Sequence, residues 1–105
     1  MQSVDIRGNK VGDKGVEFIV KGLSHLKSLM VSETGITDVI GRLIARTMDN
    51  LEMFWGEKNH LSGEVALEIG EKPKVKVMSV AGNNIPESYA LKLKEVFVTK
   101  GYIVI

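Results

Sequence analysis

The stretch VKVMSVAGNNI, Val75–Ile85, is where the reading of the fold is decided. Met78 and Val80 alternate with Val77, Ser79 and Ala81, the period of an extended strand. Gly82-Asn83-Asn84 then supplies residues that tolerate left-handed backbone, as a turn requires. Pro86 takes the first position of a helix. Tyr89, Ala90, Leu93, Val96 and Phe97 follow at the spacing of one helical face. Taken alone, strand, turn and helix fit many α/β architectures.

Working outward removes much of that ambiguity. Rows beginning at Met1, Leu26, Leu51 and Val75 read MQSVDIRGNKV, LKSLMVSETGI, LEMFWGEKNHL and VKVMSVAGNNI. A fifth row, GYIVI, begins at Gly101. The first column holds Met1, Leu26, Leu51 and Val75; the fourth Val4, Leu29, Phe54 and Met78; the sixth Ile6, Val31, Gly56 and Val80. The ninth holds Asn9, Thr34, Asn59 and Asn83, and the eleventh Val11, Ile36, Leu61 and Ile85. Each row then turns helical by period: Val16, Ile19, Val20 and Leu23 in row one, Ile40, Leu43, Ile44 and Met48 in row two, Val65, Ala66 and Ile69 in row three. Asp13, Thr37 or Asp38, and Ser62 stand where helix N-caps belong.

These columns resemble the leucine-rich repeat L-x-x-L-x-L-x-x-N-x-L. The pairing of a short strand with a true helix resembles its ribonuclease-inhibitor-like class. The resemblance implies an α/β solenoid over a single domain, 1–105. Four strand–helix repeats (1–25, 26–50, 51–74 and 75–100) precede a terminal strand, 101–105, with a parallel sheet on the concave face and helices on the convex face. Stacking is obligatory, because one strand–helix unit cannot bury its apolar face alone. Asn9, Asn59 and Asn83 are expected to form a ladder whose carboxamides bond backbone groups in the turns. Thr34, with only a hydroxyl, is expected to bond less fully. Phe54 beside Gly56 suggests one large side chain filling the space of a missing one. The structural rival is a doubly wound sheet with helices on both faces, which needs neither a fixed row length nor a recurring Asn.

Composition narrows function. The net charge of +1 on 105 residues is no electrostatic footprint for nucleic acid or an anionic membrane. There are no cysteines, which removes disulfide and thiolate chemistry and suits a reducing, cytoplasmic setting. No apolar run approaches the roughly 20 residues of a membrane span, and MQSVDIRGNK lacks the apolar core of a signal peptide. Gly8, Gly12 and Gly15 fit neither G-x-x-x-x-G-K-[ST] nor G-x-G-x-x-G, so no nucleotide loop is read there. His25 and His60 fall on opposite sides of a repeat, and no metal site or cofactor is expected. Lys72, Lys74 and Lys76 around Pro73 read as a solvated loop.

What remains is the open face of the sheet. The outward columns three, five and seven bring Met30, Trp55 and Ser79 side by side, with Met53 beside Val77. Asp5, Arg7 and Glu57 rim this apolar centre. Trp and Met suit a protein interface, so the expected function is non-catalytic binding of a partner protein, as an adaptor or as an inhibitor or immunity-type protein. Trp55 turning inward through a slipped third strand is the competing reading. The apolar end GYIVI adds the expectation of a homodimer through terminal strands. The alternative function is a small α/β enzyme or ligand-binding domain. Its site would lie at the carboxyl ends of the strands, around Arg7–Lys10, Glu33, Lys58–His60 and Gly82–Asn84.

Overall fold

The computed structural model describes residues 2–105; Met1, placed in the first column above, lies outside the described residues. Five strands alternate with four helices: β1 Ser3–Asp5, α1 Gly12–Gly22, β2 Ser28–Met30, α2 Asp38–Thr47, β3 Met53–Trp55, α3 Gly63–Gly70, β4 Val77–Ser79, α4 Glu87–Phe97 and β5 Tyr102–Val104. The sheet is parallel throughout, and its strands stand in chain order. A doubly wound sheet reverses its strand order at a switch point, and this one does not. The fold is a short α/β solenoid with its sheet on the concave face and its helices on the convex face.

The inward columns make the core. Leu26, Leu51 and Val75, then Leu29, Phe54 and Met78, then Val31, Val80, Ile36 and Leu61 are all buried. Val16, Val20, Ile40, Ile44, Val65, Ala66, Ile69, Leu93 and Phe97 meet them from the helices. Val4 and Ile6, on the edge strand β1, are only partly buried. The gap left by Gly56 is filled as the sequence suggests: a Cβ there would clash with the Phe54 ring.

The carboxamides of Asn59 and Asn83 hold consecutive turns together. Asn59 Oδ1 accepts from the backbone N–H groups of Thr34, Gly35 and Ile36, at 3.1, 2.9 and 3.3 Å. Its Nδ2 donates to the carbonyls of Val31, Gly56 and Glu57. Asn83 repeats this one row later, accepting from Asn59 N and Leu61 N and donating to Gly56 O and Val80 O. Asn9 is exposed and bonds only within its own turn, to Ile6 O and Arg7 O. Thr34 likewise closes only its own turn, through its hydroxyl to Val31 O at 2.7 Å. The cross-repeat ladder therefore starts at row three.

Four sequence readings need correction. Asp13 does not cap α1, whose N-cap is Val11 without a side-chain bond. Its carboxylate instead reaches the next repeat, accepting from Thr37 N and from the Thr37 hydroxyl. Asp38 does the same to Ser62 N, while Thr37 and Ser62 cap α2 and α3. Pro86 is the N-cap of α4, one residue before its first turn. Row five begins one residue earlier than Gly101, because Tyr102 pairs with Val77 and Ile103 with Met78. Lys72 is not a solvated loop residue. It is 7% exposed, its ammonium donates to Ala45 O at 2.7 Å, and burial pushes its pKa down despite the charge of Asp49. Lys100 does the same one repeat later, to Gly70 O and Lys72 O, and its pKa also falls through burial.

Two outcomes test this packing. Asn59→Ala strands three backbone donors in the preceding turn and carbonyls on two turns, and should cost about 3 kcal/mol in urea unfolding, whereas Asn9→Ala should cost about 0.5 kcal/mol. Gly56→Ala should lose about 1–3 kcal/mol through overpacking, and Phe54→Leu in the same chain should recover part of it.

Candidate concave interface

Parallel in-register pairing carries the outward columns across the sheet. Column three runs Ser3, Ser28, Met53, Val77, Tyr102, and column five runs Asp5, Met30, Trp55, Ser79, Val104. The third strand has not slipped: Phe54 is fully buried, so Trp55 faces the concave side, half-buried between Met30 and Ser79. Met53 and Val104 are each 37% exposed and Tyr102 is 64% exposed. The face therefore grades along the solenoid, from polar Ser3, Asp5, Arg7 and Ser28 to apolar Met53, Trp55, Val77, Tyr102 and Val104.

Ser79 departs from its expected place on the contact surface. It is 5% exposed, shut in by its neighbours, and its hydroxyl is the one buried side-chain polar atom without a hydrogen-bond partner among the described residues. Ser32, in column seven, is also buried, and its hydroxyl accepts from Glu57 N at 3.2 Å. Tyr102 and Val104 also belong to the face. GYIVI carries the signal, but its columns align with the other rows only when the row begins at Lys100.

The charged rim is partly self-neutralised. Arg7 Nε and Nη2 each donate to Asp5, at 2.8 Å, and Arg7 N adds a bond at 3.1 Å. These hydrogen bonds hold the Asp5 carboxyl below the usual carboxylate range and raise the Arg7 guanidinium, with the Glu57 charge adding a small push. Both side chains stay well exposed, so the pair fixes local geometry more than it stabilises the fold.

The residues of the alternative reading gather in part. Lys10, Gly12, Glu33, Thr34, Gly35, Lys58 and His60 line one cleft at the carboxyl ends of the strands. Lys27, Asn50, Glu52, Lys74 and Lys76 line another depression, reached from the amino ends, where Lys74 Nζ donates to Asn50 Oδ1 at 2.9 Å. His25 is exposed and lies in neither. Among the described residues no group of three or more His, Asp or Glu side chains is placed to hold a metal ion. No helix among them is long and apolar enough to cross a membrane.

Fold and repeat spacing together define a short α/β solenoid whose columns resemble the leucine-rich repeat. The family model described as Leucine Rich repeat matches residues 1–20 and 22–45. Among solved structures the chain is similar to "Leiomodin-1 Actin-Binding Site 2 (ABS2)", at 13% identity and a TM-score of 0.78, covering 99% of this chain and 69% of that one. At that identity the likeness carries the fold alone. No curated protein matches the sequence.

Because the Ser79 hydroxyl is buried without a partner, removing it should cost nothing. Ser79→Ala is expected to unfold in urea at the wild-type midpoint or about 1 kcal/mol above it; a clear loss would mean the hydroxyl is bonded in solution.

Proposed function

We propose that this chain is a non-catalytic protein-interaction scaffold, an adaptor or an inhibitor or immunity-type protein, whose concave sheet face seats a partner protein. The observation that carries the reading is the apolar run of Met53, Val77 and Tyr102 on adjoining strands, with Trp55 and Val104 flanking the buried Ser79 in the next column, near the charged Asp5, Arg7 and Glu57. Large apolar side chains on a solvated sheet are costly without a use. An apolar centre inside a charged rim, with Trp near its middle, is the anatomy of a binding patch. Met30 and Met53 add side chains that repack around different shapes. The leiomodin domain carries an actin-binding site in its name, which supports a protein partner for this fold without transferring actin to this chain. The true helices of 8 to 11 residues after each of the first four strands support the ribonuclease-inhibitor-like class of repeat. The absence of cysteine suits a cytoplasmic setting.

The same reading includes self-association through the terminal strands. β5 has a partner on one side only and presents Tyr102 and Val104 beside its free edge. Such an edge pairs readily with another strand.

Trp55→Ala decides the first part. Crosslinking capture from an extract should lose its main protein, while the melting temperature moves by no more than about 4 °C. Retained capture with a large loss of stability would place Trp55 in the core's service and end the reading. For the second part, light scattering should give a mass that rises with concentration and returns to the monomer in Val104→Lys. One constant monomer mass across the series removes the dimer.

A further inference from the structure

The turns that leave the strands carry a cost the core does not explain. Column eight is left-handed in all four rows: Gly8 at φ 80°, Glu33 at 55°, Lys58 at 53° and Gly82 at 79°. Glycine takes this backbone freely, whereas a residue with a Cβ is strained there. Rows one and four use glycine. Rows two and three hold Glu33 and Lys58 in the same conformation instead. Burial does not repay them, since both are exposed. Their ion pair, at 3.6 Å, lies in solvent, where such pairs contribute little. The backbone itself serves the stack, since Gly8 N, Glu33 N and Lys58 N donate to Ser32 O, Glu57 O and Ala81 O of the next row, but this asks nothing of the Glu33 and Lys58 side chains.

Both side chains line the same cleft of about 390 Å³, with Lys10 and His60 as further walls and Gly12, Thr34 and Gly35 beneath. Glycine keeps it open. A Cβ on Gly12, φ 66°, would meet nothing within 4 Å, and one on Gly35, φ 80°, would meet only Gly12 Cα at 4.0 Å. Gly82 makes room for the Lys58 stem, because a Cβ there would stand 2.9 Å from Lys58 Cγ. The backbone donors of the floor are already engaged: Gly12 N with Thr34 O, and Thr34 N and Gly35 N with Asn59 Oδ1. The cleft therefore works through side-chain charge, two ammonium groups and an imidazole against one carboxylate.

We propose that this cleft is an oxyanion-binding site, taking a carboxylate or phosphoryl group between Lys10, Lys58 and His60, with Glu33 as the positioning residue that orients Lys58. An ammonium and an imidazole N–H are suitable donors to either oxyanion. The group has two sources: an acidic side chain of a protein seated on the adjoining concave face, or a free phosphorylated small molecule. The site stands on its own residues and does not depend on Trp55.

The test follows backbone amide shifts of the full chain while inorganic phosphate, and separately acetate, replaces chloride at constant ionic strength. Saturable shifts are expected at Gly12, Glu33, Gly35, Lys58 and His60. The cluster of Lys27, Lys74 and Lys76 is the internal control, with three lysines against two and no glycine floor. Tighter binding of phosphate points to a phosphoryl ligand; tighter binding of acetate points to an acidic side chain. Lys58→Gly removes an ammonium while relieving a left-handed backbone, so it should keep or raise the melting temperature and weaken anion binding about tenfold. The proposal is overturned by no saturable shift, by shifts shared equally between the two lysine clusters, or by full affinity in Lys58→Gly.

Discussion

The carboxamide of Asn59 is the interaction on which the rest of the structure leans. One side chain satisfies three backbone donors in the preceding turn and three carbonyls across two turns. A buried N–H without a partner is expensive, so this group locks the turns of rows two and three to each other. The lock holds the strands in register even though the row from Leu51 to Lys74 is one residue shorter than the two before it. Register decides that Phe54 points to the core and Trp55 to the concave face, and a one-residue slip of the strand would exchange those two side chains.

Much of this was legible in the sequence, and the reasons are physical. Columns four and six were readable because a parallel sheet in register repeats its inward positions at one spacing, so Leu29, Phe54 and Met78 report on one another. The Phe54–Gly56 compensation was readable for the same reason: a missing side chain in one column called for volume in the next. Bonds that cross between repeats were not readable. Asp13 has the type and place of an N-cap, and only the packed array shows its carboxylate serving Thr37. Lys72 sits in a run of lysines beside Pro73. Nothing local reveals that the carbonyl of Ala45 lies within reach of its ammonium. The concave site was legible as far as its register held. It failed at Tyr102, where a five-residue row has too few columns to anchor its own alignment, and at Ser79, whose burial depends on the bulk of its neighbours.

The left-handed positions show a further limit. Gly8 and Gly82 announce a turn by their identity, whereas Glu33 and Lys58 hide the same backbone behind ordinary surface residues. Their conformation follows from their column, not from their type. A repeat imposes its backbone on every row, and a row that lacks glycine there must absorb the strain. The opening stretch Gly82-Asn83-Asn84 thus reports two separate requirements, a left-handed turn at Gly82 and a carboxamide rung at Asn83. Row three meets the same two with Lys58 and Asn59.

The straps between repeats change chemistry along the array. Rows one and two are joined above the sheet by the Asp13 carboxylate on Thr37. Rows three and four are joined by the Asn83 carboxamide and, at the far end of α3, by the Lys100 ammonium on Gly70 O. Rows two and three alone combine all three devices, with Asp38 on Ser62, Asn59 across both turns and Lys72 on Ala45 O. In a solenoid, stability is a sum over neighbouring interfaces, so this junction is the stiffest part of the chain. It is also where Met30 and Trp55 stand side by side on the open face. The most heavily strapped junction therefore lies beneath Met30 and Trp55, where a fixed backbone would lower the entropy cost of the proposed contact.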